Sequence, residues 1–365
     1  MGPVRVLHVV STMNFAGIET LLINLYRNID RNKLQFDFLI HSSEKNDYED
    51  EILSLGGKIF RVKKLNVFNK KGYENCLYEF FINHPEYQII HSHLNTFSKH
   101  VLKAASRAGV KHKIAHSHIS FPGMSFKTII KSISKFNINK YTDYRFACSK
   151  DAAKWVFGKT NNVHLFNNAI DSKNFVYNSG DRSKVREKLN VSSDTLLIGN
   201  VGRFNPQKNH SLIIDVFAEL NKKDENSKLL LIGEGELKNK IKLKVEKLGL
   251  SKKVIFLGVT KDVNKYLQAM DIFLFPSLYE GLGIVSIEAQ ASGLRTIVSD
   301  TVPIETKVTD LIEYYSLRDS IDSWVNAILD FNNTYERKNM YSIIKEAGYD
   351  LPENTKWIER FYLEL

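Results

Sequence analysis

The sequence predicts an α/β protein built from two doubly wound domains, each a parallel sheet with helices on both faces. Three observations carry this expectation. The chain has 365 residues, more than a single hydrophobic core usually supports. Short apolar, β-branched runs alternate with helical periodicity along most of it, the pattern of βα units and parallel sheets. The alternation is interrupted once, over the polar and aperiodic stretch 171–181, which divides it into two series.

The elements follow in order. Residues 4–10, rich in β-branched valine and broken only by Arg5 and His8, read as a parallel strand buried on both faces. Asn14-Phe-Ala-Gly17 turns into a helix with Ile18, Leu21, Leu22 and Leu25 at i, i+3, i+4 and i+7. Further strands are expected at 36–40, 88–91, 112–116, 144–148 and 163–166, with helical stretches between most of them. The second series begins at 195–201 and continues at 228–232, 253–257, 271–275 and 295–298. The resulting domains are 1–170 and 171–352, with a C-terminal helix over 353–365 packing back toward the first. Sheets of this kind place ligands at the carboxyl ends of their strands.

Composition narrows the class. Hydrophobic residues make up 43% and charged residues 25%, the mix of a folded soluble protein. The two cysteines, Cys76 and Cys148, are far apart and in no metal-ligand spacing, so a reduced, cytoplasmic setting is expected. No signal peptide is expected, and no apolar run reaches the ~18 residues of a membrane span. The net charge of +10 is uneven: residues 1–170 hold 24 Lys+Arg against 13 Asp+Glu, and the rest 27 against 28. Ten of the eleven histidines lie in the same first part. An excess of this kind suits an anionic surface or substrate. Nucleic acid is set aside, because no zinc finger, helix-turn-helix or aromatic RNA-binding strand accompanies the charge. An anionic leaflet on the inner face of the cell membrane is the expected surface. A helix over 126–136 would put Phe126, Ile129, Ile130, Ile133 and Phe136 on one arc and Lys127, Lys131 and Lys135 on the other, with Phe121 and Met124 just ahead. Such a helix either lies on the domain surface with its lysines in water or rests on lipid.

The chemistry concentrates at strand ends. Glu280 and Glu288 stand eight positions apart across Gly281-Leu282-Gly283, a turn that opens a helix after the run Ile272-Phe-Leu-Phe275. Glycines let backbone N–H groups approach a ligand, and helix N-termini attract anions. Glu280 ahead of the helix and Glu288 two turns in could each accept hydrogen bonds from a polyol. A ligand with phosphate in the middle and a sugar at each end fits that layout; two surface glutamates on an ordinary helix is the plainer reading. The loop Gly202-Arg203-Phe-Asn-Pro-Gln-Lys208 carries two cations suited to a diphosphate. Gly233-Glu-Gly235 and Gly17-Ile-Glu19 offer further glycine turns, each weak alone. His91-Ser-His93 and His116-Ser-His118 put pairs of imidazoles on one strand face. No cysteine, HExxH or carboxylate set accompanies them, so no metal is expected, and no Asp-x-Asp is present for a divalent ion on a nucleotide.

Taken together, Gly17-Ile-Glu19, His116-Ser117, Gly202-Arg203 with Lys208, Gly233-Glu-Gly235 and Glu280-x7-Glu288 occur in an order that resembles the retaining GT-B glycosyltransferases of family 4 type. Phe36-Asp-Phe-Leu39, Ser277-Leu-Tyr-Glu-Gly-Leu282 and Glu288-Ala-Gln-Ala-Ser-Gly-Leu294 are similar to its exopolysaccharide and capsule branch. The resemblance covers essentially the whole chain. It implies two Rossmann-like domains facing a central cleft. Glu280 would hold a donor-sugar hydroxyl, with Gly281, Leu282, Gly283 and Ile284 amides on sugar and phosphate, and Glu288 would hold the nucleotide ribose. Arg203 and Lys208 would neutralise the diphosphate, Gly17 and Gly235 would admit it closely, and His116 would stand by the reacting centre on the acceptor side. Three positions depart from the family: Ala16 precedes Gly17 where Gly-Gly is common, Gly283 replaces Pro or Phe, and Arg295 replaces Pro.

The implied reaction is metal-independent transfer from a nucleotide-diphosphate sugar, UDP-linked, to a saccharide or lipid-linked saccharide. A nucleotide-sugar epimerase of similar fold and a non-catalytic nucleotide-sugar-binding subunit are the competing readings. An epimerase would turn over donor without acceptor, and a binding subunit would have no use for paired glutamates.

Overall fold

The computed structural model describes residues 2–65, 69–119, 130, 132–331 and 335–365. It forms two compact units, Met1–Ile170 with Gly348–Leu365, and Asp171–Ala347. Each is a parallel sheet flanked by helices.

The first unit contains β1 (Val4–Val10), β2 (Leu34–Ile40), β3 (Ile59–Arg61), β4 (Ile89–Ser92), β5 (His112–Ser117), β6 (Tyr144–Ala147) and β7 (His164–Leu165), ordered β3-β2-β1-β4-β5-β6-β7. Strand order reverses direction between β1 and β4, which is where a doubly wound sheet opens a crevice at its carboxyl ends. All seven residues of β2 are buried, as expected for a strand covered on both faces. That burial explains Phe36-Asp-Phe-Leu39. Phe36 and Phe38 pack near Tyr26 and His8, and Asp37 between them is neutralised by Arg5 at 2.6 Å. Tyr87 Oη also donates to Asp37 at 2.8 Å, so the buried carboxylate is both paired and hydrogen-bonded, the condition for tolerating a charge in a core.

The second unit contains β8 (Leu196–Val201), β9 (Ser227–Ile232), β10 (Val254–Gly258), β11 (Ile272–Phe275), β12 (Arg295–Ser299) and β13 (Ile312–Tyr315), ordered β10-β9-β8-β11-β12-β13. Its reversal lies between β8 and β11. Leu229, Leu231, Ile213, Phe217 and Trp324 build one side of its core; Leu230, Phe273 and Phe275 build the other.

The structure differs from the sequence expectation at several places. β3 and β13 are edge strands of three and four residues, too short and too exposed to show periodicity. Residues 171–181 do not form an aperiodic linker: a 3-10 turn over Ser172–Phe175 is followed by the helix Ser179–Lys188. The return to the first unit comes at Gly348, not at 353. Backbone bonds fix the crossing, with Ile170 N–H donating to Tyr349 O and Leu351 N–H to Ile170 O, each at 3.0 Å. The helix Leu351–Leu363 then buries Ile358 and Tyr362 in the core of the first unit.

Of the helix expected over 126–136, residues 126–129 and 131 lie outside the described residues, as do Phe121 and Met124 ahead of it. Residues 130 and 132–134 are helical. Ile133 and Phe136 are 59% and 67% exposed, while the Lys135 ammonium sits 4.0 Å from the Trp155 ring centroid. The apolar arc at this end therefore faces solvent, and one of its lysines turns inward onto an aromatic face.

Candidate active site

In the second unit the loops after β8 and β11 meet at the topological switch. Asn205 caps the turn Pro206–Lys208 by accepting from Lys208 N–H at 3.2 Å, and Asn209 ends it in the left-handed region at φ 52°. This geometry turns Lys208 across to the other loop. Its Nζ lies 2.6 Å from Glu280 Oε1, with the two side chains 17% and 7% exposed, and 4.6 Å from the Phe275 ring centroid. Gln207 stitches the same loops together. Its Nε2 donates to Tyr279 O at 2.9 Å and Glu280 Oε2 at 3.2 Å, and its carbonyl accepts from Leu278 N–H at 2.8 Å. Gln207 was not singled out from the sequence, although it lies between Arg203 and Lys208.

Gly281, Leu282 and Gly283 follow Glu280 directly, and Ile284 opens the helix Ile284–Ala291. Gly283 is the N-cap with φ 85°, a conformation closed to proline, whose ring fixes φ near −65°. The departure at 283 is thus a different backbone and not only a looser loop. Glu288 lies one helical turn beyond Ile284 on the same face, partly exposed. Its carboxylate makes no hydrogen bond or ion pair among the described residues, and desolvation pushes its pKa up to about 7.

Arg203 stands apart from this cluster. Its side chain is 73% exposed, with Glu236 at 3.8 Å. Gly235 has a packing reason to be glycine: a Cβ there would come within 2.4 Å of Phe204 O. The Gly233–Gly235 turn lies against the β8 loop, where Phe204 N–H donates to Glu234 O at 2.9 Å. Arg295 begins β12 and packs over the Tyr335 ring at 4.5 Å.

The first unit has its own cavity of about 250 Å³ at the carboxyl ends of β1 and β4, lined among others by Ser11, Glu19, His93, Asn95 and Trp155. Glu19 accepts from Thr12 Oγ1 at 3.0 Å, and burial pushes its carboxyl up. Gly17 opens the adjacent helix Gly17–Asn28, and a Cβ there would meet nothing within 4 Å. Packing among the described residues therefore does not explain its being glycine, and among them room remains beside the helix N-terminus. His116 is fully buried on β5 and is not among the cavity-lining residues. Its Nδ1 lies 3.2 Å from His91 Nε2, and burial drives its pKa well below the ordinary imidazole value. Glu19 and His93, which line the cavity, were visible in the sequence only inside Gly17-Ile-Glu19 and His91-Ser-His93.

Residues 181–349 match the family described as glycosyl transferases group 1. EpsF of Bacillus subtilis (strain 168), whose name assigns it to the glycosyltransferases, is 32% identical over 360 residues, covering 96% of this chain and 94% of EpsF. The chain is a group 1 glycosyltransferase. The capsular polysaccharide biosynthesis glycosyltransferase CapH of Staphylococcus aureus is 23% identical over 387 residues, 99% of each chain. The crystal structure of Anabaena Alr3699/HepE with UDP and glucose superposes with a TM-score of 0.81 over 99% of each chain at 17% identity. The fold is accordingly GT-B, with two Rossmann-like units. No helix among the described residues is long and apolar enough to cross a membrane.

Proposed function

We propose that this glycosyltransferase moves a hexosyl group, with retention, from a UDP-linked sugar to a saccharide or lipid-linked saccharide during surface polysaccharide synthesis. The observation that carries the reading is the Lys208–Glu280 contact at the switch point of the second sheet. One loop supplies a cation for phosphate, the other a carboxylate for sugar hydroxyls, and a helix opens at Ile284, four positions beyond Glu280. Breaking the bond between anomeric carbon and phosphate leaves an oxocarbenium-like sugar and a diphosphate that gains negative charge. Lys208, the exposed Arg203 and the Ile284 helix N-terminus stabilise the charge that develops, usually the largest catalytic effect. Glu288 accepts from the ribose. Same-face attack, with the departing phosphate oxygen taking the acceptor's proton, gives retention without a carboxylate nucleophile. No divalent ion is needed at the diphosphate.

Support for the donor comes from HepE, whose structures were determined with UDP and with UDP-glucose. Support for a lipid-linked acceptor comes from an Escherichia coli relative, 30% identical over 174 residues, named as a galactosyltransferase acting on a diphosphoundecaprenol-linked sugar. Support for the setting comes from CapH, named as a capsular polysaccharide biosynthesis glycosyltransferase. Exposed Ile133 and Phe136, in the unit that holds the basic excess, suit reversible attachment to an anionic leaflet on the cytoplasmic face.

The experiment is a thermal-shift panel of UDP- and GDP-sugars, followed by a transfer assay with and without acceptor. A donor bound at 100 Kd stabilises by about 2.7 kcal/mol. UDP-sugars are expected to raise Tm and to be consumed only with acceptor. Turnover of donor alone into an isomer would establish the epimerase, and stabilisation by GDP-sugars in place of UDP-sugars would reassign the nucleotide.

A further inference from the structure

Five histidines from three neighbouring strands converge in the first unit. His8 lies on β1, His91 on β4 with His93 just beyond it, and His116 on β5 with His118 just beyond it. The i, i+2 spacing of each pair puts both side chains on one sheet face. All five are buried. His8 Nδ1 is 3.0 Å from His93 Nε2, His93 Nδ1 is 2.9 Å from His118 Nε2, and His91 Nε2 is 3.2 Å from His116 Nδ1. Among the described residues, three ring nitrogens are buried without a hydrogen-bond partner: His8 Nε2, His116 Nε2 and His118 Nδ1. Native proteins seldom leave buried polar atoms so, and an unaccounted ion is one standing reason for them.

A neutral imidazole has one N–H and one bare nitrogen, and the bare nitrogen is the atom that binds metal. His93, His116 and His118 each offer a ring nitrogen, all within 4.8 Å of one another. Zinc binds imidazole nitrogen at about 2.0–2.1 Å, so a modest contraction would bring the three onto one ion. The outer hydrogen bonds agree with two members of this set. If His116 Nδ1–H donates to His91 Nε2, then His91 Nδ1–H faces Tyr362 Oη at 2.5 Å, and His116 Nε2 is left for the ion. If His93 Nε2–H donates to His8 Nδ1, then His93 Nδ1 and His118 Nε2, 2.9 Å apart, can both turn bare nitrogens to the ion, while His118 Nδ1 has no outer partner among the described residues. Metal-binding histidines characteristically hand their other N–H to such a partner.

We propose that His93, His116 and His118 bind one divalent transition-metal ion, zinc being the ion that suits three neutral imidazoles and a tetrahedral site. The fourth position falls to water, and His93 shares its cavity with the Glu19 carboxyl. The ion belongs to the first unit and is separate from the donor-diphosphate cations of the second. The inference does not depend on the transfer reaction.

The test uses the full chain without a polyhistidine tag, stripped with a chelator, equilibrated with Zn²⁺ or Co²⁺, freed of excess ion and analysed by mass spectrometry for metal. About one ion per chain is expected to be retained, with Co²⁺ giving the intense visible absorption of tetrahedral coordination. His93→Gln and His118→Gln are each expected to weaken retention at least about 10-fold, and Tyr362→Phe less, on the scale of outer hydrogen-bond losses. His164→Gln, on exposed β7, is expected to change nothing. Circular dichroism on the same samples separates loss of metal from loss of fold. A wild-type chain that retains no ion, or retention untouched by the His93 and His118 substitutions, overturns the proposal and leaves the cluster a chain of imidazole hydrogen bonds.

Discussion

Lys208 Nζ lies 2.6 Å from Glu280 Oε1 although 72 residues separate them. The contact joins the β8 loop to the β11 loop, the two loops that flank the reversal of strand order. Each partner answers the other's charge in a setting with little solvent. Breaking a fully buried pair costs about 3–5 kcal/mol because one charge is left behind; here Lys208 keeps some access to water, and the cost is smaller.

Glu280→Gln is therefore the cleaner test of the sugar-binding role than Glu280→Ala. The amide keeps the shape and part of the hydrogen bonding to Gln207 and Lys208. Turnover is expected to fall by about 10² or more with an unchanged circular dichroism spectrum, whereas Glu280→Ala should also lower Tm. Combining Glu280→Ala with Lys208→Ala is expected to be non-additive, as for any contacting pair. Near-normal transfer by Glu280→Gln would reject the role.

Arg203→Ala should separate catalysis from stability. The side chain is 73% exposed, so Tm is expected to stay within the small range of surface changes. Turnover should nevertheless drop by about 10², the scale for losing one stabiliser of developing charge. Unchanged turnover would remove Arg203 from the diphosphate site.

Glu288 links pH to both folding and donor binding. Its folded pKa is raised from 4.5 to about 7, so the native state holds the proton more tightly than the unfolded chain. The stability this contributes is present below about 4.5 and is lost as pH rises through about 7, to a limit of roughly 3 kcal/mol. Glu288→Gln is expected to escape that loss and to melt higher than wild type above neutrality. Ribose hydroxyls donate to the ionised carboxylate, so wild-type donor affinity should increase across the same window while the variant's stays flat. Calorimetric titrations on either side of neutrality, with matched melting curves, would expose a pH-independent affinity and so dismiss the ribose role.

Transfer is expected to be insensitive to Mg²⁺ and Mn²⁺. In the proposed mechanism, Lys208, Arg203 and the Ile284 helix N-terminus supply the positive field that a divalent ion would otherwise supply. Assays after brief chelation, followed by titration of either ion, should change the rate by less than about twofold on that argument. An absolute requirement for either would assign a metal to the diphosphate.

Vesicle sedimentation tests attachment to lipid. Each Lys or Arg near an anionic leaflet contributes about 1 kcal/mol, and Ile133 and Phe136 add exposed apolar surface. Binding to anionic vesicles that disappears at high salt is expected, and replacing both residues with Ser should weaken it. Equal partitioning to neutral vesicles, or none to either, would leave the patch an ordinary surface.

The fold was legible because β1, β8 and β11 are short buried runs separated by amphipathic helices, a local signal. β3 and β13 escaped because edge strands of three or four residues have no period to read. At the site, Lys208, Glu280 and Glu288 could be selected by type and spacing, since glycine turns and charges at strand ends are local too. Their mutual contact could not, because it depends on β8 and β11 being neighbours in the sheet. The histidine convergence was hidden for the same reason: His8 lies more than eighty positions from His93, and only the order β1-β4-β5 brings the strands together. Gly235 shows the opposite case, a motif residue whose glycine is already demanded by the Phe204 carbonyl.

The chain leaves the first unit after Ile170 and re-enters it at Gly348, with Ile170 bonded to Tyr349 and Leu351. The second unit is thus an uninterrupted insert whose two host ends lie side by side. Excising it and closing Ile170 to Gly348 with a short linker should leave the seven-stranded host with its helix Leu351–Leu363 in place. On the proposed assignment of donor binding to the second unit, the same junction would accept an insert taken from a related enzyme, and donor choice would travel with it.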